Sequence, residues 1–198
     1  MESTLTKQSD DLDDYLDGER WEIYDAGCEL ILQLAYCIGD LILEDKSLMP
    51  FVFTNFSSQD PRMQDAAITV FGKVVEHCSE ERMHPLIGQA LPVLLEHTQN
   101  PNIHVCSAAY FTLGQICEHH SKAVAGVQVG PIVERAMLGL GRESSFIVDV
   151  AANVVNQIAL ACEGEADKDT NVLSPLFTPL LMKILTVAQR TDLNLSLI

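Results

Sequence analysis

Positive charge is scarce in this chain. Twelve Lys and Arg stand against 28 Asp and Glu over 198 residues, a formal net charge of −16. Such a surface repels phosphates, which argues against nucleic acid as a partner. Cysteines 28, 37, 78, 106, 117 and 162 are scattered, with no Cys-x-x-Cys pair and no histidine at metal-ligand spacing. They read as small buried hydrophobes in a reducing compartment. The polar start MESTLTKQSDD has no signal-peptide core, and no apolar run reads as long enough for a membrane span, so a soluble intracellular chain without membrane insertion is expected. Also missing are a His-x-x-x-His pair with a helical carboxylate, a nucleophile elbow and a phosphate-cradling glycine loop. His77, His84, His97, His104, His119 and His120 therefore read as structural. No catalytic residue, metal or cofactor is expected, and the chain does not read as an enzyme.

What is present is repetition. Asp60-Pro61 returns as Asn100-Pro101, Asp65-Ala66-Ala67 as Ser107-Ala108-Ala109, Phe71-Gly72 as Leu113-Gly114 and Glu76-His77 as Glu118-His119. Weaker echoes sit at Asp25-Ala26-Gly27 and Val150-Ala151-Ala152. A period near forty residues marks a helical-repeat solenoid, a class that binds macromolecules. No segment sustains strand alternation. The expected fold is all-α, an α-solenoid of antiparallel helix pairs with about four repeats, both ends incomplete, as in a segment of a longer array.

Apolar periodicity places helices near 22–38, 46–57, 61–78, 82–98, 102–119, 122–139, 144–162 and 173–189. The reading pairs 61–78 with 82–98 and 102–119 with 122–139, with the second helix of each pair facing inward. Apolar stripes run along the first helix (Ala26, Leu30, Ile31, Leu34, Ala35, Ile38) and the last (Leu173, Leu176, Phe177, Leu180, Leu181, Ile184, Leu185). Asp60-Pro61 and Asn100-Pro101 fit helix starts, Pro85 a first turn, and Pro92 a kink. Residues 1–20 form an acidic inter-helix loop, expected to be flexible, and 21–198 the solenoid. Between 8 and 22 (QSDDLDDYLDGERWE) seven carboxylates face one arginine, so the partner should be basic.

Taken in order, these pieces resemble the importin-β family of karyopherins, the nuclear transport receptors. The likeness lies in LTKQSDDLDDYLDGERW before DAGCELILQLA, then MPFVFTNFSSQDPRMQDAAITVFGKVVE and HPLIGQALPVLLEHTQNPNIHVCSAAYFTLGQICE. It covers residues 5 to about 190 and implies HEAT repeats from the middle of a receptor. It also implies an acidic loop that touches Ran-GTP and the arginine-rich segment of importin-α. Cargo would be released in the nucleus by Ran-GTP, nucleoporins would be partners, and the receptor would shuttle between cytoplasm and nucleus. A transportin-like receptor that binds cargo directly, or a HEAT scaffold of a non-transport complex, is the alternative.

The expected partner-binding residues are Asp10, Asp11, Asp13, Asp14, Asp17, Glu19, Trp21, Asp25, Glu29 and Phe111. The aspartates would attract a Lys/Arg-rich surface, and Trp21 is either a core anchor or a stacking platform for a guanidinium. The resemblance aligns Phe111 and Asn156 with inner-helix tryptophans of the family; Phe111 keeps a ring and Asn156 does not. Asp65 and Asp149 also fall on expected inner helices, where a structural role competes with a binding one. Cys106 and Ser107 stand where the family carries Arg and Asp, which removes a common inter-repeat charge ladder.

Overall fold

The computed structural model describes residues 26–124, 129–161 and 174–189. Those residues are helical between short turns, with no strand among them. Helix α1 (26–38) passes through Gly39, whose φ of 52° only glycine adopts cheaply, into a 3-10 segment, Gly39–Glu44. Then come α2 (Leu48–Asn55), α3 (Pro61–Val75), α4 (Glu80–His97), α5 (Ile103–His119), the single turn α6 (Ser121–Val124), α7 (Val129–Gly139) and α8 (Ser145–Ala161). A short 3-10 turn, Ser174–Leu176, leads into α9 (Phe177–Ala188).

The helix starts follow from their caps. Asp60 accepts a hydrogen bond from the Arg62 N–H at 3.0 Å, and Pro61 occupies the first helical position. The second repeat begins differently. Asn102, not Asn100, caps α5, accepting from the N–H groups of His104 (3.0 Å) and Val105 (3.3 Å). Asn100 instead holds the turn through Asn102 N–H at 2.9 Å. Pro85 and Pro92 both lie inside α4, which starts two residues earlier than expected, so Pro85 falls in the second turn. Both rings are exposed, where water can serve the freed carbonyls, and one helix runs through.

Packing sorts the helices into two layers. In one, α3, α5 and α8 lie side by side with extensive contact. In the other, α2, α4 and α7 each back the helix that follows: α2 on α3, α4 on α5, α7 on α8. The helix pairs are therefore shifted by one from the sequence pairing, because α3 and α4 scarcely touch. With that correction the second helix of each pair forms a continuous layer. Its interior is closed by Phe71, Tyr110, Leu113, Ile116 and Ile132, all at most 1% exposed. Phe53, Phe56 and Phe71 add an edge-on cluster with centroids 5.5–6.1 Å apart.

Repeats are joined by polar contacts at the helix ends. His97 bonds the Phe56 carbonyl through Nε2 at 2.7 Å, and His120 does the same to Val75 one layer over, also at 2.7 Å. Asp40 takes both the N–H (2.7 Å) and the hydroxyl (2.6 Å) of Ser79, the residue at the start of α4. Those two bonds hold its carboxyl below the usual carboxylate range. Arg82 pairs with Glu44, and Lys122 with Glu80 at 3.2 Å. Charge pairing between repeats therefore exists, but at the start of α4 rather than at Cys106 and Ser107. Cys106 itself is buried and donates to the Thr98 carbonyl at 3.1 Å.

The two outer stripes differ from expectation. On α1, Cys28 and Ala35 are buried, whereas Leu30 (66%), Leu34 (54%) and Ile38 (42%) are exposed. On α9, Leu176, Leu180 and Val187 meet the core, while Phe177, Leu181, Ile184 and Leu185 are exposed; Leu173 lies outside the described residues. Each of these helices is packed from one side. The stretch Ala26–Glu44, with mean hydropathy 1.6, is also long and apolar enough to cross a membrane by length and composition, contrary to the sequence reading. In the fold its Asp40 and Glu44 engage the next repeat.

Candidate partner-binding groove

A groove of about 550 Å³ runs from α1 across the three helices of the first layer, α3, α5 and α8. Its walls follow from helical spacing. Residues four apart lie one above another on a helix face, so α3 presents Asp65, Thr69 and Lys73, α5 presents His104, Ser107, Ala108 and Phe111, and α8 presents Phe146 and Val150. Cys28 and Glu29 of α1 close one end.

Of the residues expected to meet a partner, Glu29 and Phe111 line this groove together. Asp10, Asp11, Asp13, Asp14, Asp17, Glu19, Trp21 and Asp25 lie outside the described residues. Glu29 is exposed and accepts a hydrogen bond from Gln33 at 3.0 Å. Asp65 is only 4% exposed and engaged within the fold, which favours its structural reading. Asp149 and Asn156 are exposed on α8, outside the groove lining.

Sequence reasoning missed Lys73. Its ammonium sits 5.2 Å from the centroid of the Phe111 ring, within cation–π range. The available signal was spacing: Lys73 follows Asp65 and Thr69 on one stripe, and position 115, its repeat counterpart, is Gln. Phe146 was missed because it opens α8 as an isolated aromatic, 53% exposed.

The groove gathers charged, polar and aromatic side chains. Groups with displaced pKa values sit elsewhere. Burial pushes the Cys78 thiol up to about 11 and the Tyr110 hydroxyl up to about 12, and it lowers His120. None of these lines the groove. Among the described residues, no group of three or more His, Cys, Asp or Glu is placed to hold a metal ion. What remains is an open trough with carboxylate, ammonium and aromatic groups, suited to a peptide segment.

Comparison with known proteins agrees with this architecture. A HEAT-like repeat family model matches residues 61–116, from the start of α3 into α5. Importin subunit beta-1 of Arabidopsis thaliana is 29% identical over 197 residues, covering 96% of this chain and 22% of that protein. Importin subunit beta-1 of Schizosaccharomyces pombe is 26% identical over 179 residues, covering 90% and 20%. The chain thus spans about a fifth of the length of the curated relatives it matches. Among solved structures, importin beta crystallised in ammonium sulfate superposes with a TM-score of 0.79 at 23% identity, over 86% of this chain and 19% of that one. Kap95p in the structure where its binding induces the switch loops of RanGDP to adopt the GTP-bound conformation gives 0.75 at 17%, over 83% and 18%. The Kap95:Nup1 complex gives 0.74 at 17%, over 83% and 18%. At these identities the structures speak to the HEAT solenoid fold.

Proposed function

For a chain that resembles importin-β over nearly all its length and folds as a HEAT solenoid, we propose a role as part of a nuclear import receptor. The groove across α1, α3, α5 and α8 would hold the arginine-rich segment of importin-α, or a basic cargo segment, as an extended or helical ligand. The carrying observation is that Glu29 and Phe111, 82 residues apart in sequence, line one trough on the layer built from the second helix of each pair. A carboxylate at one end of the trough and an aromatic ring further along it suit an arginine-rich segment: one attracts its charge, the other stacks on a guanidinium plane.

The acidic run at 8–22 would act earlier, drawing a basic partner toward the trough. Its field acts over about 8 Å at physiological salt. Ran-GTP would compete for overlapping surface and release the load in the nucleus. Two ligands that favour different curvatures of one scaffold exclude each other by linkage. Nucleoporins would be contacted elsewhere on the receptor during shuttling between cytoplasm and nucleus. The Kap95 relatives solved with RanGDP and with Nup1 support both partners by analogy.

The test is fluorescence-anisotropy binding of a labelled arginine-rich importin-α segment to the 198-residue chain, at low and physiological salt. A second protein carries Asp10, Asp11, Asp13, Asp14 and Asp17 changed to Asn. Binding that weakens with salt and is largely lost on neutralisation supports the reading. Tight binding indifferent to the five changes moves the site wholly into the groove. A folded chain that binds nothing basic refutes the import-receptor role.

A further inference from the structure

The floor of the groove is already in use. Gly72 lets α3 and α5 approach so closely that a Cβ at that position would stand 2.7 Å from Oγ1 of Thr112, with Cε1 of Phe111 in ordinary contact at 3.4 Å. The next residue along α3, Lys73, is thereby set beside the ring, with its ammonium 5.2 Å from the centroid. We propose that Lys73 is a built-in occupant of the aromatic floor, which every incoming basic side chain must displace. The inference rests on the reading above, that the groove receives a basic segment.

The threshold comes from exchange, and the preference for arginine from the ring. An incoming cation that stacks on Phe111 must first send the Lys73 ammonium back to water. A ligand lysine gains little by this, because one compact, strongly hydrated ammonium replaces another. A ligand arginine gains, because its planar guanidinium is more weakly hydrated and stacks on a ring face where an ammonium only points at it. If both cations stay in the trough they repel each other, which disfavours either ligand. Lys73 thus raises the threshold for every basic segment, by the same amount for arginine and for lysine, and the preference between them lies in the ring.

The experiment uses the full chain and two labelled helical peptides, one arginine-rich and one with every arginine replaced by lysine. Wild type should bind the arginine peptide about fivefold or more tightly. Lys73→Gln should tighten both by a similar factor and leave the ratio unchanged. Phe111→Leu keeps the apolar volume but removes the ring, and should bring the ratio close to one. Circular dichroism checks that both variants fold. In the free protein, the Lys73 methylene resonances should show a ring-current shift that vanishes in Phe111→Leu and on addition of the arginine peptide. Measurable binding with both affinities unchanged in Lys73→Gln would overturn the role of Lys73 and leave the receptor reading standing. No binding of either peptide by folded wild type or Lys73→Gln would overturn both.

Discussion

Gly139 ends α7 at the point where Tyr110 of α5 and Ala151 of α8 converge, and Gly139→Ala should be among the costliest one-carbon changes in the chain. A Cβ there would stand 2.6 Å from the Ala151 Cβ and 2.7 Å from both the Cζ and the hydroxyl of Tyr110. The ring cannot simply swing aside. It is 1% exposed, and its hydroxyl donates to the Arg135 carbonyl at 2.7 Å. Overpacking of this kind costs about 1–3 kcal/mol, and a strained or broken buried hydrogen bond adds about 1 kcal/mol. Removing a glycine from a helix returns at most about 1 kcal/mol, less at a helix end. The net is about 2 kcal/mol of destabilisation, or a fall in melting temperature of about 4–8 °C for a chain of this size. Urea unfolding followed by far-ultraviolet circular dichroism measures it. Gly88→Ala is the control: its Cβ would meet nothing within 4 Å, so it should be neutral or stabilising. Adding Tyr110→Phe should relieve only the hydroxyl part of the clash, and the Ala151 contact should keep the rest. If Gly139→Ala unfolds within about 0.5 kcal/mol of wild type, well below the usual cost of overpacking a dense core, the three-helix contact is not as tight as described.

Two further outcomes follow from the same layers. Gly72→Ala places a Cβ 2.7 Å from the Thr112 hydroxyl, which donates to the Ile68 carbonyl at 3.0 Å. It should cost about 1–2 kcal/mol, and Thr112→Ala should absorb most of that cost in the double variant, whereas purely additive urea midpoints would contradict the contact. His120 has its pKa lowered by burial, so the unfolded chain binds a proton that the folded chain refuses. Its contribution to stability is complete above the unfolded value near 6.5 and falls away as pH drops below it. Melting between about pH 7.5 and 5.5 should therefore show a smaller acid loss in His120→Gln than in wild type, and an identical pH slope would sink the assignment.

Much of the architecture was legible because a solenoid writes its contacts locally. The forty-residue echo, the apolar stripes of α3, α4 and α8 and the Asp60-Pro61 cap each depend on neighbours within one or two turns. Legibility failed where partners are distant. The stripes of α1 and α9 are periodic but not enclosed, since periodicity reports which face is apolar and not what covers it. The one-helix error in pairing arose because a short turn joins α3 to α4 as readily as α4 to α5; only packing tells them apart. Asn100-Pro101 looked like its earlier counterpart, yet the second asparagine, Asn102, took over the capping bond. Phe111 was found through its alignment with family tryptophans, but Lys73, which covers it, needed the close approach at Gly72 to be seen. The acidic run, the plainest signal in the sequence, lies outside the described residues.

The unequal layers also fix how this molecule can bend. Along α3, α5 and α8, glycines at 72 and 114 bring neighbouring helices into close contact, and the hydroxyl of Thr112 ties α5 to α3. The layer of α2, α4 and α7 has sparse contact between its own members, and polar links there, such as His97 with Phe56, sit at helix ends. A beam built this way has its inextensible fibre along the dense layer. Changes of curvature spread or close the sparse side while spacings along the dense side stay nearly fixed. The trough therefore keeps its spacing but not its angle: a ligand that spans Phe111 and Phe146 feels the arc as a tilt between α5 and α8, and the other face acts as the bellows.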